Sequence, residues 1–314
     1  MNGIPAKEID IIENSISDAL EMLVDYNEDT VSSPKQVESL SWLLNKSDEL
    51  QVLRKSTALE PIRTIHHFAC TGGTLVAKCL ASMPNTQLIS EVDPLSTLHI
   101  QSGKPRFSPT DIISLLNFSV RPLSQKVFTE IFVSGIEALH NAMQRDGQYL
   151  ILRDHTHSHF CTEQFLSERL TFRAIMRERF SLCSAITVRH PLDSFISLKN
   201  NGWIHFEPAT LEEYSIRYLC FLKEYNNVPL IKYENFVRSP QKTMKSLCEI
   251  LCLPYDSSFT ETFNLIKLTG DSGRKSEEIS ERPRREIPAI LYEEALESPA
   301  FNKLCELMNY EPHS

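Results

Sequence analysis

A chain of 314 residues with 41% hydrophobic and 23% charged residues has the composition of an ordinary globular protein, long enough to bury a substantial core. Its net charge of −9 argues against duplex nucleic acid as a partner, and no run of 18 apolar residues is present to cross a membrane. An acidic protein that binds an anion must therefore gather its basic groups locally.

The opening MNGIPAKEIDIIENS lacks the basic-then-apolar layout of a secretory signal, and the eight cysteines, at 70, 79, 161, 183, 220, 248, 252 and 305, form no CxxC pair. Free thiols and a cytoplasmic location are expected. In residues 1–60, Ile9, Ile12, Ile16, Leu20 and Leu23 fall at helical spacing. After a polar break at Asn27–Pro34, Val37, Leu40, Leu43 and Leu44 follow suit. This reads as a helical N-terminal extension that packs on the main domain, 61–314, or on a partner, a homodimer through these helices being one arrangement open to it.

From residue 62 short apolar runs alternate with helical patterns. Strands are expected at Thr64–Ala69, Gln87–Ser90, Tyr149–Leu152, Ala185–Val188 and Pro229–Lys232, with helices near 75–82, 124–145, 162–178, 191–199 and 210–225. Met244, Leu247, Cys248, Leu251 and Cys252 line one face of a further helix over 241–252, which Pro254 ends. After a charged, irregular stretch, Lys267–Pro288, a helix is expected over Ile290–Met308. The alternation predicts an α/β fold with a central parallel sheet and its ligand at the carboxyl ends of the strands.

Four stretches could carry chemistry. In RTIHHFACTGGTLVAKCLASMP (63–84) a buried strand runs through a turn, Thr71-Gly72-Gly73-Thr74, into a helix that continues at Leu75. Turn amides and the helix dipole together make an anion cradle. The chain has only nine glycines, so a pair here suggests positive φ or close approach to a ligand. No GK[ST] follows, so the lysine of ATP- and GTP-binding loops is missing. In ITVRHPLDSFISLKNNGW (186–203) a strand delivers Arg189 at its carboxyl end, Pro191 opens a helix, and Ser197 lies about two turns on. The third, LIKYENFVRSPQKTMKSLCEILCLP (230–254), is a strand followed by Tyr233-Glu234 and a helix. The fourth, LTGDSGRKSEEISERPRREIP (268–288), carries Gly270, Gly273, Arg274, Lys275, Arg282, Arg284 and Arg285, the densest basic cluster of the chain.

In this order and at these separations, over residues 62–290, the four resemble the PAPS-dependent sulfotransferases. The resemblance implies a three-layer fold like that of the P-loop NTPases, with 3′-phosphoadenosine-5′-phosphosulfate (PAPS) as donor. It implies that Thr71, Gly72, Gly73, Thr74 and Leu75 bind the 5′-phosphosulfate. Arg189 and Ser197 would bind the 3′-phosphate, Tyr233, from a Tyr-Glu strand end that often accompanies these motifs, would belong to the cofactor site, and Arg274 and Lys275 would come from a loop closing over the nucleotide. Many members carry Arg or Lys just before the Ser/Thr-Gly, where this chain has Cys70; Lys78, Arg274 or Lys275 would then supply the charge.

Sulfuryl transfer to a hydroxyl needs a base for the acceptor's proton. In YLILRDHTHSHF (149–160), Arg153 and His155 look like the Lys-x-His pair of cytosolic members; Glu91, in LISEVDPL, stands where other members use a carboxylate. An imidazole with an ordinary pKa of about 6.5 suits the task, which favours His155, with Glu91 left to orient the acceptor or pair with an arginine. His155, His157 and His159 alternate and in an extended chain would share one side, but sulfuryl transfer needs no metal and none is expected. His66 and His67, inside the first strand, read as packed or hydrogen-bonded. The expected function is transfer of a sulfuryl group to a hydroxyl or amine of a small molecule, carbohydrate or lipid. An ATP-dependent phosphotransferase and a non-catalytic nucleotide-binding module are the alternatives.

Overall fold

The computed structural model describes residues 60–98, 108–163, 169–269, 278–281, 284 and 286–312. The helical extension expected over 1–60, all but its last residue, and any dimer contact through it lie outside these residues. So do Arg274 and Lys275.

The elements in chain order are β1 (Ile62–His67), α1 (Gly73–Ala81), β2 (Thr86–Val92), α2 (Ile112–Leu116), α3 (Gln125–Arg145), β3 (Tyr149–Asp154), α4 (Thr156–Phe160) and α5 (Phe172–Arg177). There follow β4 (Leu182–Val188), α6 (Pro191–Asn200), α7 (Leu211–Glu224), β5 (Leu230–Lys232), α8 (Tyr233–Arg238), α9 (Pro240–Ile250), α10 (Phe259–Thr262), α11 (Ala289–Glu297) and α12 (Pro299–Met308). The strands form one parallel sheet in the order β2-β3-β1-β4-β5. β1 lies at its centre with every residue buried, and its polar members find partners inside the protein, Thr64 with Ser184 at 2.7 Å and His66 with Asp154 at 2.6 Å.

Alternate strand residues face opposite layers. Ile65, Ile151, Ala185 and Ile231 pack against Leu75, Cys79 and Leu80 of α1, Phe236 of α8 and Met244, Leu247 and Cys248 of α9. On the other face Leu150 and Leu152 meet Val133 and Ile136 of α3 and Ile175 of α5. Beside them Ile186 and Val188 meet Phe195 of α6, Tyr218 and Phe221 of α7 and Leu304 of α12. The result is the three-layer α/β architecture anticipated from the alternation. Strand order reverses across β1, because the chain returns first to one side of it (β3) and then to the other (β4). In open α/β sheets, ligands bind outside the carboxyl ends of the strands at such a reversal.

Three local expectations change. The helix over 162–178 is helical only at Phe172–Arg177 among its described residues, because Thr171 caps it, its hydroxyl accepting from Ala174 N at 3.2 Å. The helix expected over 290–308 is two helices, since the Ser298 hydroxyl accepts from Phe301 N at 3.1 Å and Pro299 opens a new first turn. The stretch 156–160, considered as extended chain, is a helical turn, so the three histidines do not share one side. Among the described residues no helix is long and apolar enough to cross a membrane.

Candidate functional site

The turn after β1 is held from below. Thr71 is fully buried, and its hydroxyl donates to Phe68 O at 2.8 Å and reaches Thr187 O, on the next strand, at 3.2 Å. Its hydroxyl therefore pins the turn rather than facing a ligand. Gly72 caps α1 with φ 86° and ψ 11°, a left-handed conformation that glycine adopts without strain. A Cβ on Gly72 would lie 2.2 Å from Tyr233 Cδ2, so a side chain there is excluded twice over. Cys70, with φ 62°, takes the same left-handed region at the cost a β-carbon brings. Leu75 is a core residue whose amide is already bonded to Gly72 O at 3.1 Å, so it serves the helix. Among the described residues the Gly72 and Gly73 amides have no backbone acceptor, as the first N–H groups of a helix do not. Lys78 lies one turn into α1, part-buried.

Behind the turn stands Arg153, the fifth residue of β3 and 3% exposed. Its Nη2 reaches Thr74 Oγ1 at 3.0 Å, His67 Nε2 at 3.0 Å and Glu91 Oε1 at 2.7 Å. Its Nη1 donates to Ser90 Oγ at 2.9 Å and to Thr269 O at 3.4 Å. The other oxygen of Glu91 lies 3.3 Å from His155 Nε2. Glu91 sits at the irregularity where the β2–β3 register shifts between Ile89 and Val92, with φ 61°. That kink turns its carboxylate toward β3. Burial raises the Glu91 carboxyl above its ordinary value, opposed by the charge of Arg153. The two groups that competed for the role of base in the sequence are thus in contact with each other.

Three histidines nearby, His67, His157 and His159, are held below the usual imidazole range. Burial, and then Arg153, holds His67 well below the usual imidazole range. Burial likewise brings His157 down to about 3 and His159 to about 4. Asp93 is paired with Arg169 and accepts from Ser158. Among the described residues no group of three His, Cys, Asp or Glu side chains is arranged to hold a metal ion.

On the other side of β1, Arg189 follows β4. Its amide donates to Tyr218 Oη at 3.2 Å, and its guanidinium lies over the Tyr233 ring, 5.0 Å from the centroid. Among the described residues it has no carboxylate partner. The neighbouring turn is clamped by Glu234, which accepts from His190 N at 2.9 Å and Tyr310 Oη at 2.7 Å. Ser197 sits part-buried in the second turn of α6, and among the described residues it makes no hydrogen bond to Arg189. Arg284, from the basic cluster, grips Asp193 of α6 at 3.0 and 3.1 Å.

Two groupings result: Thr74, Glu91, Arg153 and His155 on one side, and Gly72, Tyr233 and Arg189 on the other. His67, Ser90 and Thr269 join the first; each lies in a stretch singled out from the sequence, but none was named there as a site residue.

No protein-family model matches the chain, and no curated protein matches it either. Among solved structures it is similar to the sulfotransferase domain from the curacin biosynthetic pathway, at 14% identity, over 81% of this chain and 99% of that one, with a TM-score of 0.50. Also similar are a sulfotransferase from Alicyclobacillus acidocaldarius (15% identity, 81% and 98% coverage, TM-score 0.40) and mouse sulfotransferase SULT7A1 complexed with PAP (14%, 69% and 67%, 0.35). The first of these likenesses establishes the fold: this chain has the sulfotransferase fold.

Proposed function

We propose that this chain, built on the sulfotransferase fold, transfers a sulfuryl group from PAPS to a hydroxyl or amine of a small-molecule, carbohydrate or lipid acceptor. The observation that carries the reading is the Tyr233 ring, which packs against Gly72 on one side and under the Arg189 guanidinium on the other. It ties an anion cradle to an arginine that has no acid partner among the described residues, as a nucleotide with phosphates at both ends of its ribose requires. A Cβ at Gly72 would fill the cradle, and the planar fork of Arg189 suits a phosphate. Gly72, Gly73 and Thr74 would hold the 5′ side, and Arg189 the 3′-phosphate. The bound donor supplies an electrophilic sulfur with a phosphate leaving group.

The chain's own part is proton transfer and fixed charge. With Glu91 ionised, His155 carries its proton on Nε2, facing the carboxylate, and Nδ1 is left to accept the proton of the attacking hydroxyl. Glu91 orients the ring and stabilises the imidazolium that forms, while Arg153 fixes Glu91. This assigns the base to His155 and a positioning role to Glu91.

The test is ligand-induced stabilisation. Adenosine 3′,5′-bisphosphate should raise the melting temperature and bind at least tenfold tighter than AMP, whereas ATP with magnesium should not match it. Equal affinity for AMP would sink the proposal, and a magnesium-dependent response to ATP would favour a phosphotransferase. His155→Ala should abolish turnover and keep bisphosphate affinity; full activity in that variant would move the base to Glu91.

A further inference from the structure

We infer that His67 is a positioning residue for this reaction: the lone pair on its Nε2 fixes the fork of Arg153, and its ring stands where a side chain of residue 73 would project. The inference rests on the proposed sulfuryl transfer and deepens it by naming what holds the charge beneath the turn.

A guanidinium has donors only. The 3.0 Å contact between Arg153 Nη2 and His67 Nε2 therefore requires Nε2 to be unprotonated, which places the single ring proton on Nδ1. Nδ1 is buried and has no hydrogen-bond partner among the described residues. Nothing on that side of the ring favours the tautomer, and a buried N–H without an acceptor is unfavourable. Arg153 alone selects it.

The second observation is steric. Gly73 opens α1, where glycine is a poor helix former and no positive φ calls for it. A Cβ on Gly73 would lie 2.3 Å from His67 Cγ and 2.8 Å from Nδ1. The imidazole, rising from β1, occupies the space that a threonine or serine at 73 would need, so His67 and Gly73 are a matched pair. Arg153 in turn holds Thr74 Oγ1 of the turn and Glu91, the carboxylate against His155. With Cys70 in the turn itself, the charge beneath the cradle comes from β3, and its direction is set by His67.

Glutamine can place an amide oxygen near the position of Nε2, asparagine near that of Nδ1, and leucine offers neither. Calorimetry with adenosine 3′,5′-bisphosphate should find His67→Leu and His67→Asn weakened tenfold or more, and His67→Gln within threefold of the wild type. Long-range ¹⁵N–¹H spectra of the free wild-type protein should show His67 as the Nδ1–H tautomer, a readout that requires neither ligand nor a variant that folds. An Nε2–H tautomer would overturn the inference, as would affinity kept by asparagine and lost by glutamine, or wild-type affinity in the leucine variant. If the wild type does not bind the bisphosphate at all, the sulfuryl-transfer reading falls, and the tautomer still decides whether His67 holds Arg153.

Discussion

Arg153 and Arg189 stand at the carboxyl ends of strands on opposite sides of β1 and could hardly be arranged more differently. Arg153 is 3% exposed and its fork is shared among Thr74, His67, Glu91, Ser90 and Thr269. Arg189 rests on the Tyr233 ring and, among the described residues, has no acid partner. One cation is spent on the protein's own groups before any ligand arrives. The other keeps its charge for something else. A fixed cation costs no reorganisation when charge develops in a reaction, and an unpaired one is what an anionic ligand needs to dock.

That contrast can be broken most severely at Arg153. Removing it leaves the mostly buried Glu91 carboxylate without its main partner, and breaking a buried pair costs about 3–5 kcal/mol of stability. Arg153→Met should therefore lower the free energy of unfolding in urea by that amount. A loss under about 1 kcal/mol would mean that Arg153 is no more than a surface-type charge, the usual range for exposed pairs. In the double variant Arg153→Met with Glu91→Gln the lost stability should partly return, because no charge is then stranded.

Arg189→Met should do the reverse. Among the described residues its charge meets the Tyr233 ring and no carboxylate, so stability should stay within about 1 kcal/mol of the wild type. Affinity for adenosine 3′,5′-bisphosphate should fall by about 1.5–3 kcal/mol, the worth of a hydrogen bond to a charged group. AMP, which lacks the 3′-phosphate, should bind both proteins alike. Equal losses for the two ligands would place the arginine elsewhere than at the 3′ end.

The sequence made the frame of this contrast legible and left its substance hidden. The parallel sheet wrapped by helices could be read from alternating strands and helices, because buried strands and amphipathic helices carry their own periods. The glycine turn and Arg189-x-Pro191 could be located because turn and helix-start chemistry is local. That Arg153 would be buried and its fork engaged could not be read, since its partners come from β1, β2, the turn and residue 269, far apart in sequence. Nor could the left-handed backbone of Glu91, a conformation that glutamate does not advertise. The helical turn at 156–160 is too short to show a period. His67 illustrates the limit best: inside a buried strand it reads as core, and only its contact with a donor-only group reveals a task.

A further expected effect concerns pH and falls on the Arg153 side, where His157 and His159 follow in α4. His159 is 7% exposed and stacks on Phe160 at 4.4 Å, and burial brings it down to about 4 from an ordinary 6.5. An imidazole lowered on folding stays neutral in the native state while the unfolded chain takes up its proton. Stability is then complete above the unfolded value and is lost as pH falls from about 6.5 toward 4, with a slope of at most about 1.4 kcal/mol per pH unit per group. His157, brought down to about 3, adds the same trend over a wider window. In His159→Phe the ring stacking is kept and the titration removed, so urea unfolding between pH 6.5 and 4 should show a shallower decline than the wild type. An unchanged decline would mean that His159 is protonated with no penalty in the folded protein, and that the apolar packing around α4 is looser than its burial implies.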